Sequence, residues 1–213
     1  MTDIDTLKAA RTSAPVHPLI AGRWSPRGFD SERALDDETI RSLLEAARWA
    51  ASSRNEQPWR FIVGRRGAGQ AHARVLETLD QSNAQWAQQA PLLLVSVAKR
   101  GWSRDGSPNR HALHDVGLAV AQLTLQATAL GLGAHQMAGF SPRRARELFA
   151  VPEDFEPVAV IAIGYRAALE ALDDDLRQRE LAQRTRKPLS ELAFADRWGE
   201  PAELSEPEVT SGG

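Results

Sequence analysis

The chain has 213 residues, 42% apolar and 25% charged, with a net charge of −2, a balance that suits one soluble globular domain with a substantial core. Mixed charge without a basic stripe argues against a nucleic-acid or membrane-surface binder. With no cysteine in the sequence, disulfides, thiolate nucleophiles, iron–sulfur clusters and cysteine-ligated zinc are excluded, so redox chemistry would need a bound cofactor.

Met1 to Lys8 is polar and acidic, unlike a signal peptide. The longest apolar run, near 158–163, falls far short of the roughly 20 residues that span a bilayer. The expectation is a cytoplasmic protein with no membrane or nucleic-acid partner. Residues 1–16 read as an N-terminal arm or short helix. A helix then starts at Leu35-Asp36-Asp37, capped by Asp36 or Asp37, with Ile40, Leu43, Leu44 and Ala47 on one buried face to about Ala51. Pro58 blocks its continuation, and Trp59–Val63 reads as a strand. Residues 70–80 and 82–89 suggest two short helices. Pro91–Val97 is nearly all apolar, a strand covered on both faces. Asn109–Leu130 is the longest helical stretch, apolar on more than one side, which places it centrally and in a possible dimer contact; Gly131 and Gly133 end it. Ser141 caps a short helix with Pro142 at its first position, ending near Ala150. Val158–Gly164 is a third apolar strand. Asp173–Asp175 opens a helical run through Leu181. The main domain is expected over 17–198, and 199–213, rich in Glu, Pro, Ser and Gly, has the composition of a disordered tail. Alternating strands and helices suggest a three-layer α/β or α+β protein.

Four segments could carry chemistry. Arg23-Trp24-Ser25-Pro26-Arg27 sets two guanidiniums and a hydroxyl close together, either a phosphate grip or a solvated basic turn. Arg184-Thr185-Arg186-Lys187 offers the same donors, or is a helix terminus where cations suit the dipole. Ser52-Ser53-Arg54-Asn55-Glu56-Gln57 joins a helix to a strand with hydrogen-bonding side chains throughout and no glycine, either a wall for a flat polar-edged ligand or a helix cap and loop. Gly131 to Phe140 permits close backbone approach to a flat ligand, or is a helix exit and short strand. Gly131-Leu132-Gly133 follows a helix and so does not make a dinucleotide fingerprint, and Gly64–Gly69 lacks the ending of a phosphate loop. His111, His114 and Asp115 share a helix face but lack a third well-placed ligand pattern, and no metal site is expected. The six Trp fill cores or line a pocket for a planar ligand.

In this order the segments resemble the FMN-dependent nitroreductase family. The resemblance rests on Arg23–Phe29, Ala46–Phe61, Leu130–Gly133 with Gly139-Phe140, Val160–Tyr165 and Arg184–Leu189, and covers roughly 17–194. It implies an α+β, three-layer sandwich with a mixed central sheet flanked by helices, forming an intertwined homodimer with FMN at the interface. It further implies that Arg23, Ser25 and Arg27 hold the flavin phosphate, with Arg184 and Arg186 closing on it and Trp24 adding backbone contacts; four arginines would offset a phosphate charge of about −2. Ser52, Ser53, Asn55 and Gln57 would face the ring or ribityl atoms, and Gln136, Met137, Ala138 and Gly139 would lie along the flavin. Between Trp59 and Pro91, Asn83 is the nearest candidate for a further contact. Ala51 stands where the family often has Pro, and the loop 101–109 is idiosyncratic. The activity implied is NAD(P)H-driven, ping-pong reduction of nitroaromatics, quinones or related acceptors through flavin N5, with NADH or NADPH as donor and no side-chain acid or base. The alternatives are a dehydrogenase or dehalogenase on the same fold, or a non-catalytic flavin sensor.

Overall fold

The computed structural model of the protein describes residues 4–204. Close contacts divide the chain into two units. One is Arg23–Glu180; the described part of the other is 4–22 with 181–204. The helices are α1 (Ile4–Lys8), α2 (Pro18–Gly22), α3 (Asp37–Arg48), α4 (Ala71–Leu76), α5 (Gln81–Ala87), α6 (Ala112–Ala129), α7 (Pro142–Phe149) and α8 (Asp174–Leu181). The strands are β1 (Trp59–Arg65), β2 (Leu92–Lys99), β3 (Gly133–Met137) and β4 (Phe155–Gly164), paired in the order β1-β2-β4-β3.

Strand β2 is buried from Leu92 through Ala98, so it needs cover on both faces and partners on both edges. Its residues alternate between two cores, as a strand's period of two requires. Leu92, Leu94 and Ala98 pack with Ile161 and Ile163 of β4 beneath α3 and α6, which contribute Leu43, Ala47, Val116, Ala119 and Leu123. Leu93, Val95 and Val97 pack with Val160 and Ala162 against Val75 of α4, Trp86 of α5 and Ala145 of α7. The result is a three-layer α+β sandwich.

Local signals set the helix ends. Asp36 accepts the Thr39 N–H at 2.7 Å and caps α3, with Asp37 and Glu38 in the first turn to complement the dipole. Ser141 caps α7 at Arg144 N–H with Pro142 next, and Ala150 closes it in the left-handed region at φ 50°.

Three expectations need correction. Every pairing among the described strands is antiparallel, whereas a mixed sheet was expected; the long helical connections resemble parallel crossovers in sequence but do not fix strand sense. Gly133 opens β3 rather than ending α6, which closes at Leu130 and Gly131. Helix α6 begins at Ala112, because Asn109 is spent in a turn, its N–H on the Arg100 carbonyl at 2.7 Å and its side-chain oxygen on the His111 N–H at 3.0 Å.

In the other unit, the Lys8 ammonium donates to the Ala182 carbonyl and Arg184 donates to the Lys8 carbonyl at 2.6 Å. The Phe194 and Trp198 rings meet at 5.0 Å, and Phe194 bridges to Pro201. Residues 1–3 of the expected arm and 205–213 of the expected tail lie outside the described residues. Among those described, no helix is long and apolar enough to cross a membrane.

Leu94 is fully buried between β2 and α6. Leu94→Ala should lower unfolding free energy by about 2–5 kcal/mol, read from urea denaturation midpoints; an unchanged midpoint would contradict this core assignment.

Candidate functional site

The Arg23–Arg27 segment is pinned against β3. Trp24 is buried and faces the Arg166 guanidinium at 5.7 Å. The Pro26 ring fills the space that a side chain at Gly133 would need, so only glycine lets the segment lie this close. His135 Nδ1 lies 2.9 Å from the Pro26 carbonyl, and its ring packs on Trp86 at 4.7 Å. Burial, with Arg27 and Arg23 adding repulsion, pushes His135 down to about 4 despite the hydrogen bonds that favour its charged form. The ring is therefore neutral at pH 7, and Nδ1–H donates to Pro26. The Arg27 N–H donates to the buried Glu180 carboxylate at 2.6 Å. Held from behind in this way, Arg23, exposed Ser25 and Arg27 form a short cationic rim, with the Arg23 guanidinium 3.4 Å from Ser25 Oγ. A cleft of about 560 Å³ opens beside Arg27, lined also by Phe29, Asp30, Trp86 and Leu172.

The Gln136–Gly139 segment continues the same edge. Gln136 and Ala138 are exposed, while the Met137 side chain is sunk in the core, which leaves only backbone for Met137 to offer a ligand. Gly139 is gripped by α5 and its approach: its carbonyl accepts from Asp80 N–H and from Asn83 Nδ2, each at 3.1 Å. A side chain there would collide with Asn83 and Asp80. Asn83 thus stands beside this segment.

The Ser52–Gln57 segment is anchored to the first turn of α6. Ser53 N–H donates to Asp115 Oδ2 at 3.0 Å, and His114 Nδ1 lies 3.2 Å from the other oxygen. Asp115 therefore serves as a buried carboxylate anchor. Gln57 N–H donates to Ser52 Oγ, and Gln57 Nε2 to the Asn55 carbonyl, each at 3.0 Å. Arg54, Asn55 and Gln57 sit in the left-handed region at φ 53°, 55° and 51°. Such conformations cost non-glycine residues about 1–2 kcal/mol, least for Asn. The loop 101–109 folds onto this wall: Gly101 bridges Pro108, and Ser103 N–H donates to Glu56 at 2.8 Å.

These pieces do not all meet within one chain. Arg23–Arg27 and Gln136–Gly139 lie along β3, one edge of the sheet, whereas Ser52–Gln57 leads into β1, the other edge. Pro26 sits where Gly133 pairs Gly164, and Trp59 pairs Ala98 at the opposite end. Along α6, Asp115 at the Ser53 end and Leu130 at the β3 end are separated by roughly 22 Å at 1.5 Å per residue. Arg184 and Arg186 belong to the other unit, where Arg184 donates to the Lys8 and Ala21 carbonyls and exposed Arg186 to the Thr185 carbonyl. Glu180 gave no sign of its role in sequence. Asp115 did, since a carboxylate inside an apolar helix must find donors.

Residues 20–165 match the model of the Nitroreductase family. An uncharacterized 15.4 kDa protein of Mycolicibacterium smegmatis is 37% identical over 149 residues, covering 67% of this chain and 99% of its own length. A protein described as a putative NADH dehydrogenase/NAD(P)H nitroreductase of Archaeoglobus fulgidus is 31% identical, covering 69% of this chain and 83% of its own. A solved structure described as an oxidoreductase containing FMN superposes with a TM-score of 0.84 at 33% identity, covering 94% of this chain and all of that one.

Two outcomes follow from the geometry. Unfolded histidine titrates near 6.5 and folded His135 near 4. Above pH 6.5 its contribution is fully present. As pH falls from 6.5 to 4 the unfolded chain gains a proton that the folded chain refuses, so stability drops, by about 3 kcal/mol in all. Urea unfolding at pH 7.5 and 4.5 should show a steeper loss for the wild type than for His135→Gln; equal slopes would contradict the buried neutral ring. At position 54, Arg54→Gly should be more stable than Arg54→Ala by about 1 kcal/mol, because only glycine tolerates the left-handed backbone without strain. The reverse order would show that the backbone there is relaxed.

Proposed function

Because the chain belongs to the nitroreductase family, we propose that it is an FMN-dependent oxidoreductase that uses NADH or NADPH to reduce nitroaromatics, quinones or related acceptors. The observation that carries this reading is the cationic rim of Arg23, Ser25 and Arg27, locked against the edge of β3 by Gly133, His135 and Glu180. Two guanidinium forks and a hydroxyl are the donor set a phosphate dianion needs. A ring system attached to that phosphate would run along Gln136, Ala138 and Gly139, where backbone groups on the outer edge of β3 are available. The FMN-containing relative supports the same cofactor.

In this reading Arg23, Ser25 and Arg27 hold the phosphate, with Trp24 contributing backbone. Ser52, Ser53, Asn55 and Gln57, and the backbone of Gln136, Met137, Ala138 and Gly139, face the ring and ribityl atoms. FMN, when bound, supplies hydride acceptance from the nicotinamide and electron delivery to the acceptor. The protein's own part is to orient, to exclude water and to set fixed donors where charge develops. Asp115 holds Ser53 N–H inward and so keeps the wall in register; Asn83 holds the Gly139 carbonyl and so aims the segment before it.

The protein acts as a homodimer. The separation of Ser52–Gln57 from Arg23–Arg27 within a chain favours a site shared between two copies, one supplying each part. The exposed face of α6 supports this, since Leu113 and Leu118 are 42% and 38% exposed there and Gly117 between them has open space at its Cα. Leucines between small residues suit close packing of a second helix.

Purified protein should carry the flavin absorbance band, or gain it on incubation with FMN, and bleach anaerobically on addition of NADH or NADPH. Arg23→Ala with Arg27→Ala should weaken FMN binding about a hundredfold, while Arg143→Ala, at an exposed arginine of α7, should leave it unchanged. A colourless protein that takes up no FMN sinks the proposal.

A further inference from the structure

The loop 101–109 is built more tightly than a connection between β2 and α6 requires. Trp102 N–H donates to the Ser107 carbonyl and Gly106 N–H to the Trp102 carbonyl, both at 2.8 Å, and Asn109 N–H closes the base on Arg100. The result is a small knob carrying one half-buried indole at its neck. Two guanidiniums lie over that indole, Arg54 at 5.9 Å and Arg104 at 5.7 Å. Glu56 fastens the knob to the Ser52–Gln57 wall through the Ser103 N–H and hydroxyl.

The neighbouring cations are engaged. Arg100 pairs with Glu156, Arg104 with Asp105, Lys99 donates to Ser103, and Arg60 donates to the Gln57 and Trp59 carbonyls. Arg54 differs: it is exposed, its one described partner is the indole, and its backbone is held in the left-handed region. Strained backbone of this kind survives where the surroundings over-determine it, and it gathers at functional sites. A guanidinium resting on an aromatic face is weakly hydrated and keeps its planar fork free for a carboxylate.

We propose that Arg54, set on the Trp102 ring beside Arg104, is a specificity determinant that favours flat aromatic acceptors bearing a carboxylate over neutral ones. The inference rests on the flavin reading above, because the knob is fastened to the proposed flavin wall. An acceptor held beside the knob would extend its anionic group toward Arg54, where a bidentate contact strengthens binding. Trp102 orients that guanidinium, and Glu56 holds the knob in place.

The test compares 4-nitrobenzoate with nitrobenzene on the flavin-loaded holoenzyme. Arg54→Ala should lower the ratio of kcat/KM for the anion to that for the neutral compound about tenfold, with the change in KM; Arg54→Lys should recover part of it. In wild type, KM for 4-nitrobenzoate should rise with ionic strength, and that rise should shrink in Arg54→Ala. A second readout needs no turnover: 4-nitrobenzoate should quench tryptophan emission of the oxidised protein, with weaker affinity in Arg54→Ala and smaller amplitude in Trp102→Phe. An unchanged ratio, or equal losses for both compounds, overturns the proposal. Flavin absorbance measured on the same samples keeps the two readings apart. Wild type without flavin refutes the cofactor, whereas flavin-loaded enzyme with an unaltered ratio refutes the role of Arg54 alone.

Discussion

The structure depends on strand β2 having no face for water. A strand whose side chains are buried on both sides must lie inside a sheet with helices above and below it, and Leu92 to Ala98 meets that condition residue by residue. Its two edges take β1 and β4, and β4 carries β3 outward. The candidate site follows from that order. Three of the four segments with binding chemistry are tied to an outer strand, Ser52–Gln57 leading into β1 and Gln136–Gly139 running out of β3, with Arg23–Arg27 laid across the latter.

Elements governed by neighbours in sequence were legible. Asp36 caps α3, Ser141 and Pro142 open α7, Pro58 marks the start of β1, and the apolar run at 91–97 falls in the central strand β2, all from signals within a few residues. Strand β3 was harder to read, because Gly133-Ala134-His135-Gln136-Met137 is short and poor in branched residues, so its strand character comes from pairing with β4. Strand sense was hidden for a similar reason, since a helical connection suits either direction. The donor-bearing segments were visible as clusters. What fastens them was not: Asp115 lies 62 residues from Ser53, Glu180 lies 153 from Arg27, and His135 lies 109 from Pro26.

Those three fasteners share a design. In each, one buried or half-buried side chain meets a backbone group of a surface segment, so the segment is held by its main chain. Asp115 accepts from the Ser53 N–H, Glu180 accepts from the Arg27 N–H, and His135 donates a hydrogen bond to the Pro26 carbonyl. A buried carboxylate paired to amide donors is cheaper to desolvate than a bare one, and the geometry it fixes is rigid. Preorganised donors of this kind are what a site needs when its ligand carries the chemistry.

Strand β3 also bears on colloidal behaviour. As the last strand among those described, it presents a row of main-chain groups of the sort that recruits foreign strands and seeds aggregates. A net charge of −2 gives little long-range repulsion to keep copies apart. Protection must be local, and the molecule has it: β3 is five residues long, the Pro26 ring is wedged over its first residue, and the opposite edge begins after Pro58 and carries Arg60 and Arg65. Resistance to strand-on-strand aggregation is thereby entrusted to two prolines and two arginines.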